Sequence, residues 1–287
     1  MNSHNIKVGV HVSIGGSLGN AVDNAKLLGC NTFQIFTRNP RGWTAPVLST
    51  RESDGFRKKV KESKIDRNAT VAHMPYPPNF SSPDKVSFEK STLSLIEETK
   101  RSSKLGIPYL VAHLGSHKGA GVAKGMETIV KAFRVAADKT PDDVTILLEN
   151  NTGFLYSVGS NFEEFEKIFS QLEPLGRFGI CFDTCHAFAQ GYEMQTMSQA
   201  KRTLDKFVKL VGKENIKIIH LNDSKGTIGC KVDRHEHIGL GHIGNKGLGY
   251  FVKFAKSNYI PLILETPIDE RRDDSGNLQE VRNLINS

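Results

Sequence analysis

Short apolar runs that alternate with amphipathic, helix-length stretches along the whole chain call for a parallel (β/α)8 barrel. Three observations carry that expectation. Eight runs occur, at residues 6–12, 32–36, 70–73, 109–113, 144–149, 178–183, 216–221 and 260–265, and they are nearly all apolar, as strands buried on both faces must be. Each run is followed by a segment long enough to bring the chain back for another parallel strand. The 287 residues suit eight such units in one domain, 1–287, with no low-complexity or Pro/Ser-rich stretch to divide it.

The elements follow in order. After run 6–12, Ser17 is an N-cap, Leu18, Ala21, Val22 and Ala25 recur at helical spacing, and Gly29 ends the helix. Runs 32–36, 70–73 and 109–113 come next, the last followed by a stripe of Met126, Ile129, Val130, Phe133 and Ala137. Run 144–149 precedes Phe162, Phe165, Ile168, Phe169 and Leu172, and run 178–183 precedes Leu204, Phe207, Val208 and Val211. Runs 216–221 and 260–265 complete the set, and Leu278, Val281, Leu284 and Ile285 form the last helix. These stripes are core faces. An open, doubly wound sheet is disfavoured because no GxGxxG turn follows the first strand; Gly15-Gly16-Ser17 is a turn and cap.

At 38% hydrophobic and 24% charged residues the chain is too apolar for a disordered protein. No apolar run approaches the roughly 18 residues of a membrane span, and Met1-Asn2-Ser3-His4 lacks the pattern of a signal peptide, so a cytoplasmic location is expected. Cys30, Cys181, Cys185 and Cys230 do not make a disulfide framework. The net charge of +7 permits an anionic partner without requiring one.

What ends the strands is more informative. His11, His73, His113, Glu149, Asp183, His220 and Glu265 each stand at or near the C-terminal end of a different run. In a (β/α)8 barrel those ends open onto one face, where the active site lies. One such histidine alone reads as a hydrogen-bonded structural residue and one such carboxylate as a helix cap. Seven together do not: crowded carboxylates repel, and carboxylates mixed with imidazoles are a ligand set for divalent metal. Asp183 is followed by His186, and Asp233-Arg234-His235 presents an Asp-x-His pair in the loop after the seventh run. Cys181 and Cys185 are placed in or beside the core rather than on metal, and His117, His237 and His242 in contacts around the site or to phosphate.

The strings Gly9-Val10-His11-Val12-Ser13, His113-Leu114-Gly115-Ser116-His117, Leu148-Glu149-Asn150, Asp183-Thr184-Cys185-His186-Ala187-Phe188, His220-Leu221-Asn222-Asp223-Ser224-Lys225, Asp233-Arg234-His235 and Leu264-Glu265-Thr266-Pro267 resemble the endonuclease IV family of apurinic/apyrimidinic (AP) endonucleases over essentially the whole chain. The resemblance implies a TIM barrel with its active site at the C-terminal strand ends and three Zn2+ ions in a DNA groove, Mn2+ or Fe2+ being possible substitutes. His73, His113 and Glu149 would hold one ion; Glu149 as a bridge, Asp183, His220 and Glu265 a second; His186, Asp233 and His235 a third. His11 would support these ligands, and Glu149 and Glu265 would be the catalytic carboxylates that position the attacking water. Arg41 and Tyr76 match positions that enter the duplex and help expel the abasic nucleotide.

The implied substrate is double-stranded DNA with abasic sites or 3′ blocks, cut 5′ to the lesion to leave a 3′-hydroxyl and a 5′-deoxyribose phosphate. No obligate protein partner is expected. Pro77, Leu114 and the Phe154-Leu155 pair depart from the family pattern without touching a ligand position. Two other functions compete. A sugar isomerase or epimerase barrel would use a similar Glu-Asp-His-Glu set but neither Asp233 with His235 nor a basic groove. A non-catalytic nucleic-acid-binding barrel would have no need of the metal ligands.

Overall fold

The computed structural model describes residues 6–173 and 176–286; the N-terminal Met1–His4 segment read above lies outside them. Eight parallel strands form one sheet: β1 (Val8–Val10), β2 (Gln34–Phe36), β3 (Val71–His73), β4 (Tyr109–His113), β5 (Thr145–Glu149), β6 (Phe178–Asp183), β7 (Ile216–His220) and β10 (Leu262–Leu264). Their order is β1-β10-β7-β6-β5-β4-β3-β2. The two ends of that order meet through a parallel bridge between His11 and Gln34, with Val12 N–H donating to the Gln34 carbonyl at 2.9 Å, which nearly closes the barrel. A separate two-residue ribbon, β8 (Asp223–Ser224) against β9 (His235–Glu236), stands in the loop after β7.

The paired strands are shorter than the apolar runs. Run 6–12 contributes three residues to β1 and run 260–265 three to β10. Ile6, Val12 and Ile260 are nonetheless buried, so burial continues past the last ladder hydrogen bond. Inside the barrel, Val71, Val111, Leu147, Cys181, Ile218 and Ile263 pack into one apolar plug. Register then places His113 opposite Glu149 and Glu149 opposite Cys181, with Asp183 opposite His220 two residues further along β6.

The expected stripes lie on α1 (Leu18–Leu27), α4 (Val122–Asp138), α5 (Phe162–Leu172), α7 (Met197–Val211) and α9 (Asp274–Asn286). Ser17 caps α1, its hydroxyl accepting from Asn20 N–H at 3.3 Å. The remaining helices are α2 (Thr50–Glu62), α3 (Lys85–Leu105), α6 (Thr184–Gln190) and α8 (Gly244–Asn258). The buried face of α3 is largely polar and includes Ser91, Glu98, Thr99, Arg101 and Ser102, so an apolar stripe could not reveal it. The Ser91, Thr92 and Thr99 hydroxyls satisfy themselves on carbonyls four residues back. Among the described residues no helix is long and apolar enough to cross a membrane.

Candidate metal centre

Every strand-end residue singled out above reaches one cleft of about 480 Å³ at the C-terminal mouth of the barrel or its immediate floor. Glu149 is fully buried at its centre. Its Oε2 lies 3.4 Å from both His73 Nε2 and His113 Nε2. Its Oε1 lies 2.8 Å from His220 Nδ1, which is itself 3.3 Å from Glu265 Oε2 and 3.8 Å from Asp183 Oδ2. On the far side, Asp233 places its oxygens 3.2 Å from His186 Nε2 and 3.1 Å from His235 Nε2. Asp183 Oδ2 lies 3.8 Å from His235 Nε2.

The histidines are oriented by what binds their other nitrogens. A carbonyl oxygen can only accept, so His73 Nδ1 donates to Met74 O (2.7 Å), His186 Nδ1 to Asn150 O (2.9 Å) and His235 Nδ1 to Glu265 O (3.0 Å). Each contact leaves an Nε2 lone pair aimed into the cleft, the arrangement that metal-ligating histidines use. Glu149 Oε2, His186 Nε2 and His235 Nε2 are buried without a hydrogen-bond partner, a costly condition unless something else satisfies them. Two ligands of a tetrahedral zinc at about 2.0–2.1 Å stand roughly 3.3 Å apart, and the separations here bracket that value. Two groups within coordinating reach, His73-His113-Glu149 and Glu149-Asp183-His220-Glu265, coincide with the sets expected from sequence. A third joins Asp183 to His186 and His235, and Asp233 spans those two histidines. These groupings could hold metal ions.

The electrostatics ask for positive charge. Burial opposes ionisation of Glu149, yet His113, His220 and His73 hold its carboxyl well below the ordinary carboxylate range. Burial likewise opposes a charge on His235, but Asp233, Asp183 and Glu265 raise it to about 9. Without a cation the carboxylates draw protons onto the imidazoles; a metal would supply the same charge. Burial pushes the Cys181 thiol up to about 12 and the Cys185 thiol up as well, and each lies within coordinating reach of the site, Cys181 beside Glu149 and His220 and Cys185 beside Asp233 and His235.

Sequence reasoning missed the residues that hold the ligands. Gln34 is fully buried in β2, the only amide in an otherwise apolar run. Its Nε2 donates to Glu265 Oε1 (2.6 Å) and its Oε1 accepts from His220 Nε2 (2.9 Å), which turns His220 Nδ1 toward Glu149. His11 Nδ1 lies 3.0 Å from the same amide and 3.4 Å from Glu265 Oε1. Asn222 donates to Asp183 Oδ2 (2.7 Å) and accepts from Glu265 N–H (2.8 Å), and Asn150 accepts from Asp183 N–H (2.8 Å). A buried amide inside an apolar run was the available signal for Gln34.

Other expectations need correction. His117 and His237 do not reach the cleft: His117 Nδ1 accepts from Gly119 and Gly121 N–H, and His237 sits between Asp269 and Asn277. His242 is exposed, its N–H on the Ser224 carbonyl. Arg41 and Tyr76 lie on the loops after β2 and β3, and Tyr76 N–H donates to Pro40 O at 2.9 Å, clipping those loops together. The Tyr76 side chain is 64% exposed and lines the cleft.

The chain is also similar to known proteins along its length. A family described as xylose isomerase-like TIM barrel matches residues 22–286. A protein of Nitrosopumilus maritimus named "probable endonuclease 4" is 52% identical over 277 residues, covering 96% of this chain and 99% of the relative. The crystal structure of endonuclease IV from Thermus thermophilus superposes with a TM-score of 0.85 at 32% identity, covering 98% and 99% of the two chains. A D-tagatose 3-epimerase-like protein, at a TM-score of 0.72 and 19% identity, shares the fold alone. With the fold, the strand-end groups and full-length similarity in agreement, the chain belongs to the endonuclease IV family of xylose isomerase-like TIM barrels.

Proposed function

We propose that this protein is a DNA-repair AP endonuclease, a phosphodiester hydrolase that cuts 5′ to an abasic site to leave a 3′-hydroxyl and a 5′-deoxyribose phosphate, and that trims blocked 3′ ends. The observation that carries this reading is the convergence of nine nitrogen- and oxygen-donor side chains with three buried, unpartnered donor atoms on one open cleft. His73, His113 and Glu149 would hold one Zn2+, Glu149, Asp183, His220 and Glu265 a second, and His186, Asp233 and His235 a third; Mn2+ or Fe2+ suits the same donors. Bound there, such ions supply Lewis-acid charge to a phosphodiester and lower the pKa of water.

The chain's own groups do the rest. Gln34 holds Glu265 Oε1, so that carboxylate keeps one orientation at the cleft surface, where it can accept a hydrogen bond from the attacking water. Glu149, buried beneath, fixes three imidazoles around one point. His11 supports Glu265 from the side. Arg41 and Tyr76, on loops joined at Pro40, would enter the duplex and favour a nucleotide that has no base to unstack. A single barrel, residues 1–287, acting in the cytoplasm without an obligate protein partner, suffices for this chemistry.

The test is an end-labelled duplex with one tetrahydrofuran abasic analogue. The expected product is a single cut 5′ to the lesion with a ligatable 3′-hydroxyl, abolished by chelation and restored by zinc. Folded, metal-replete protein that leaves this duplex intact would overturn the proposal.

A further inference from the structure

The polar face of α3 ends on one loop. Glu98 is fully buried, and Arg38 and Arg101 are 3% and 8% exposed. Glu98 Oε1 pairs with Arg38 Nε, and its Oε2 accepts from the Thr37 hydroxyl at 2.6 Å. That hydroxyl accepts from Arg101 Nε at 2.9 Å, and Arg38 Nη2 donates to Ser94 Oγ at 2.8 Å. The other guanidinium contacts all fall on the loop after β2. Arg101 donates to the carbonyls of Thr37 (2.7 Å) and Pro46 (2.9 Å), and Arg38 to that of Gly42 (3.2 Å).

Residues 37–49 form neither helix nor strand, so their carbonyls need donors from elsewhere. Two planar guanidinium forks supply them on either side of Trp43, whose ring also lies 5.9 Å from Lys90 of α3. Arg41 sits between the anchored carbonyls with its side chain exposed and its N–H on Asn39 Oδ1 at 3.0 Å. Pro40 O, in the same span, holds Tyr76. A buried ion pair adds little stability over apolar residues of the same volume. What it does here is set the geometry of one loop.

We propose that Glu98 is a positioning residue for DNA recognition: through Arg38, Thr37 and Arg101 it fixes the loop that carries Arg41 and holds Tyr76, so that both are ordered before the duplex arrives. This rests on the reading of the barrel mouth as an AP endonuclease site with Arg41 and Tyr76 as its wedge. A loop ordered in advance spares the cost of ordering it on binding.

The variants are Glu98→Gln, which puts an amide beside the Arg38 charge, and Thr37→Val, a near-isosteric change that removes only the bridging hydroxyl. The expected result is a KM for abasic duplex raised about fivefold for Glu98→Gln and about twofold for Thr37→Val, the scale of ordering one or two side chains on binding. The kcat, and incision of a single-stranded abasic oligonucleotide, should change less than twofold. A 2-aminopurine beside the lesion, in a duplex with a methylphosphonate at the scissile position, should show reduced unstacking. Because Glu98 acts through the loop that carries Arg41 and holds Tyr76, Glu98→Gln on top of Arg41→Ala with Tyr76→Ala should add nothing beyond those two substitutions. Equal losses on duplex and single strand, or additive losses in that triple variant, would mean a general structural role and overturn the proposal. If Glu98→Gln does not fold, Thr37→Val decides, and wild-type duplex kinetics with an unchanged 2-aminopurine signal in that variant would overturn it. Wild-type protein that fails to incise the abasic duplex refutes the functional reading and this proposal with it. Incision impaired by Arg41→Ala but untouched by Glu98→Gln and Thr37→Val refutes this proposal alone.

Discussion

Replacing Asp223 by asparagine should cost both stability and one metal ion. Asp223 is fully buried on β8. Its Oδ1 accepts from Ser224 N–H (2.8 Å) and Ile243 N–H (2.9 Å), its Oδ2 from Gly239 N–H (3.0 Å) and Gly241 N–H (3.1 Å), and Gly244 N–H lies 3.3 and 3.2 Å from the two oxygens. Gly241 permits this approach, since a Cβ there would stand 2.5 Å from Asp223 Oδ1. One carboxylate thus closes the loop that runs from β8 through Asp233 and His235 to the start of α8. Asparagine keeps the shape but turns one acceptor into a donor that faces donors. Whichever oxygen is replaced, two backbone N–H groups lose their acceptor. Hydrogen bonds to a charged group are worth about 1.5–3 kcal/mol each, so the change should cost about 3–6 kcal/mol. For a chain of this size, with an unfolding entropy of roughly 2 cal/mol/K per residue, that lowers Tm by about 5–10 °C. Because β8 pairs with β9, Ser224 against His235, the loosened loop should also release the ion proposed at His186, Asp233 and His235. Circular dichroism melting and elemental analysis read the two effects. A variant with wild-type Tm and undiminished metal content would refute the reasoning.

Purified protein should carry about three divalent ions per chain, and Cys181→Ser with Cys185→Ser should leave that number unchanged, because nitrogen and oxygen donors already make up the three proposed sets; active protein with one ion or none contradicts the ligand assignment. Glu265→Gln should cut incision by at least about 100-fold, more than loss of a residue that merely supports a ligand, while binding to abasic duplex persists; near wild-type turnover in a folded, metal-replete variant would show that Glu265 only caps a strand end. Arg41→Ala and Tyr76→Ala should each cost about 1–3 kcal/mol in duplex recognition, the range of a base-stacking contact, and much less on single-stranded abasic DNA at one fixed salt concentration; equal losses on both substrates count against the wedge. Phe154 and Leu155, 63% and 64% exposed, line a groove of about 560 Å³ with Tyr76 and His113, so Phe154→Ala with Leu155→Ala should raise KM on duplex while kcat holds; unchanged KM would place the DNA elsewhere.

The fold was legible wherever burial leaves a local trace. Strands buried on both faces must be apolar throughout, and α1, α4, α5, α7 and α9 show a stripe at helical spacing, as does α8 with Leu248, Phe251, Val252 and Ala255, so such elements could be read in order. α3 left no such trace because its buried face mixes Leu95, Ile96 and Leu105 with more numerous hydroxyls and with Glu98 and Arg101, which meet their partners inside the protein. Strand length was overestimated for a related reason: Ile6, Val12 and Ile260 are buried by packing beyond the last ladder hydrogen bond, and hydropathy does not separate burial from pairing.

At the barrel mouth the same division holds. That His73, His113, Glu149, Asp183, His220 and Glu265 end strands is a local property, and a parallel barrel brings all strand ends to one face whatever its loops do. Which atoms meet there is not local. Gln34 binds Glu265 across 231 positions and His220 across 186, and the histidine tautomers depend on carbonyls of Met74, Asn150 and Glu265 that any residue could have supplied. His117 and His237, unlike His73, His113 and His220, end no barrel strand, and each meets its partners outside the cleft. Side-chain chemistry states what each polar atom requires; closure of the barrel decides which partner meets the requirement, because hydrogen bonds and coordination act over about 2–3 Å and only the folded chain sets distances that short.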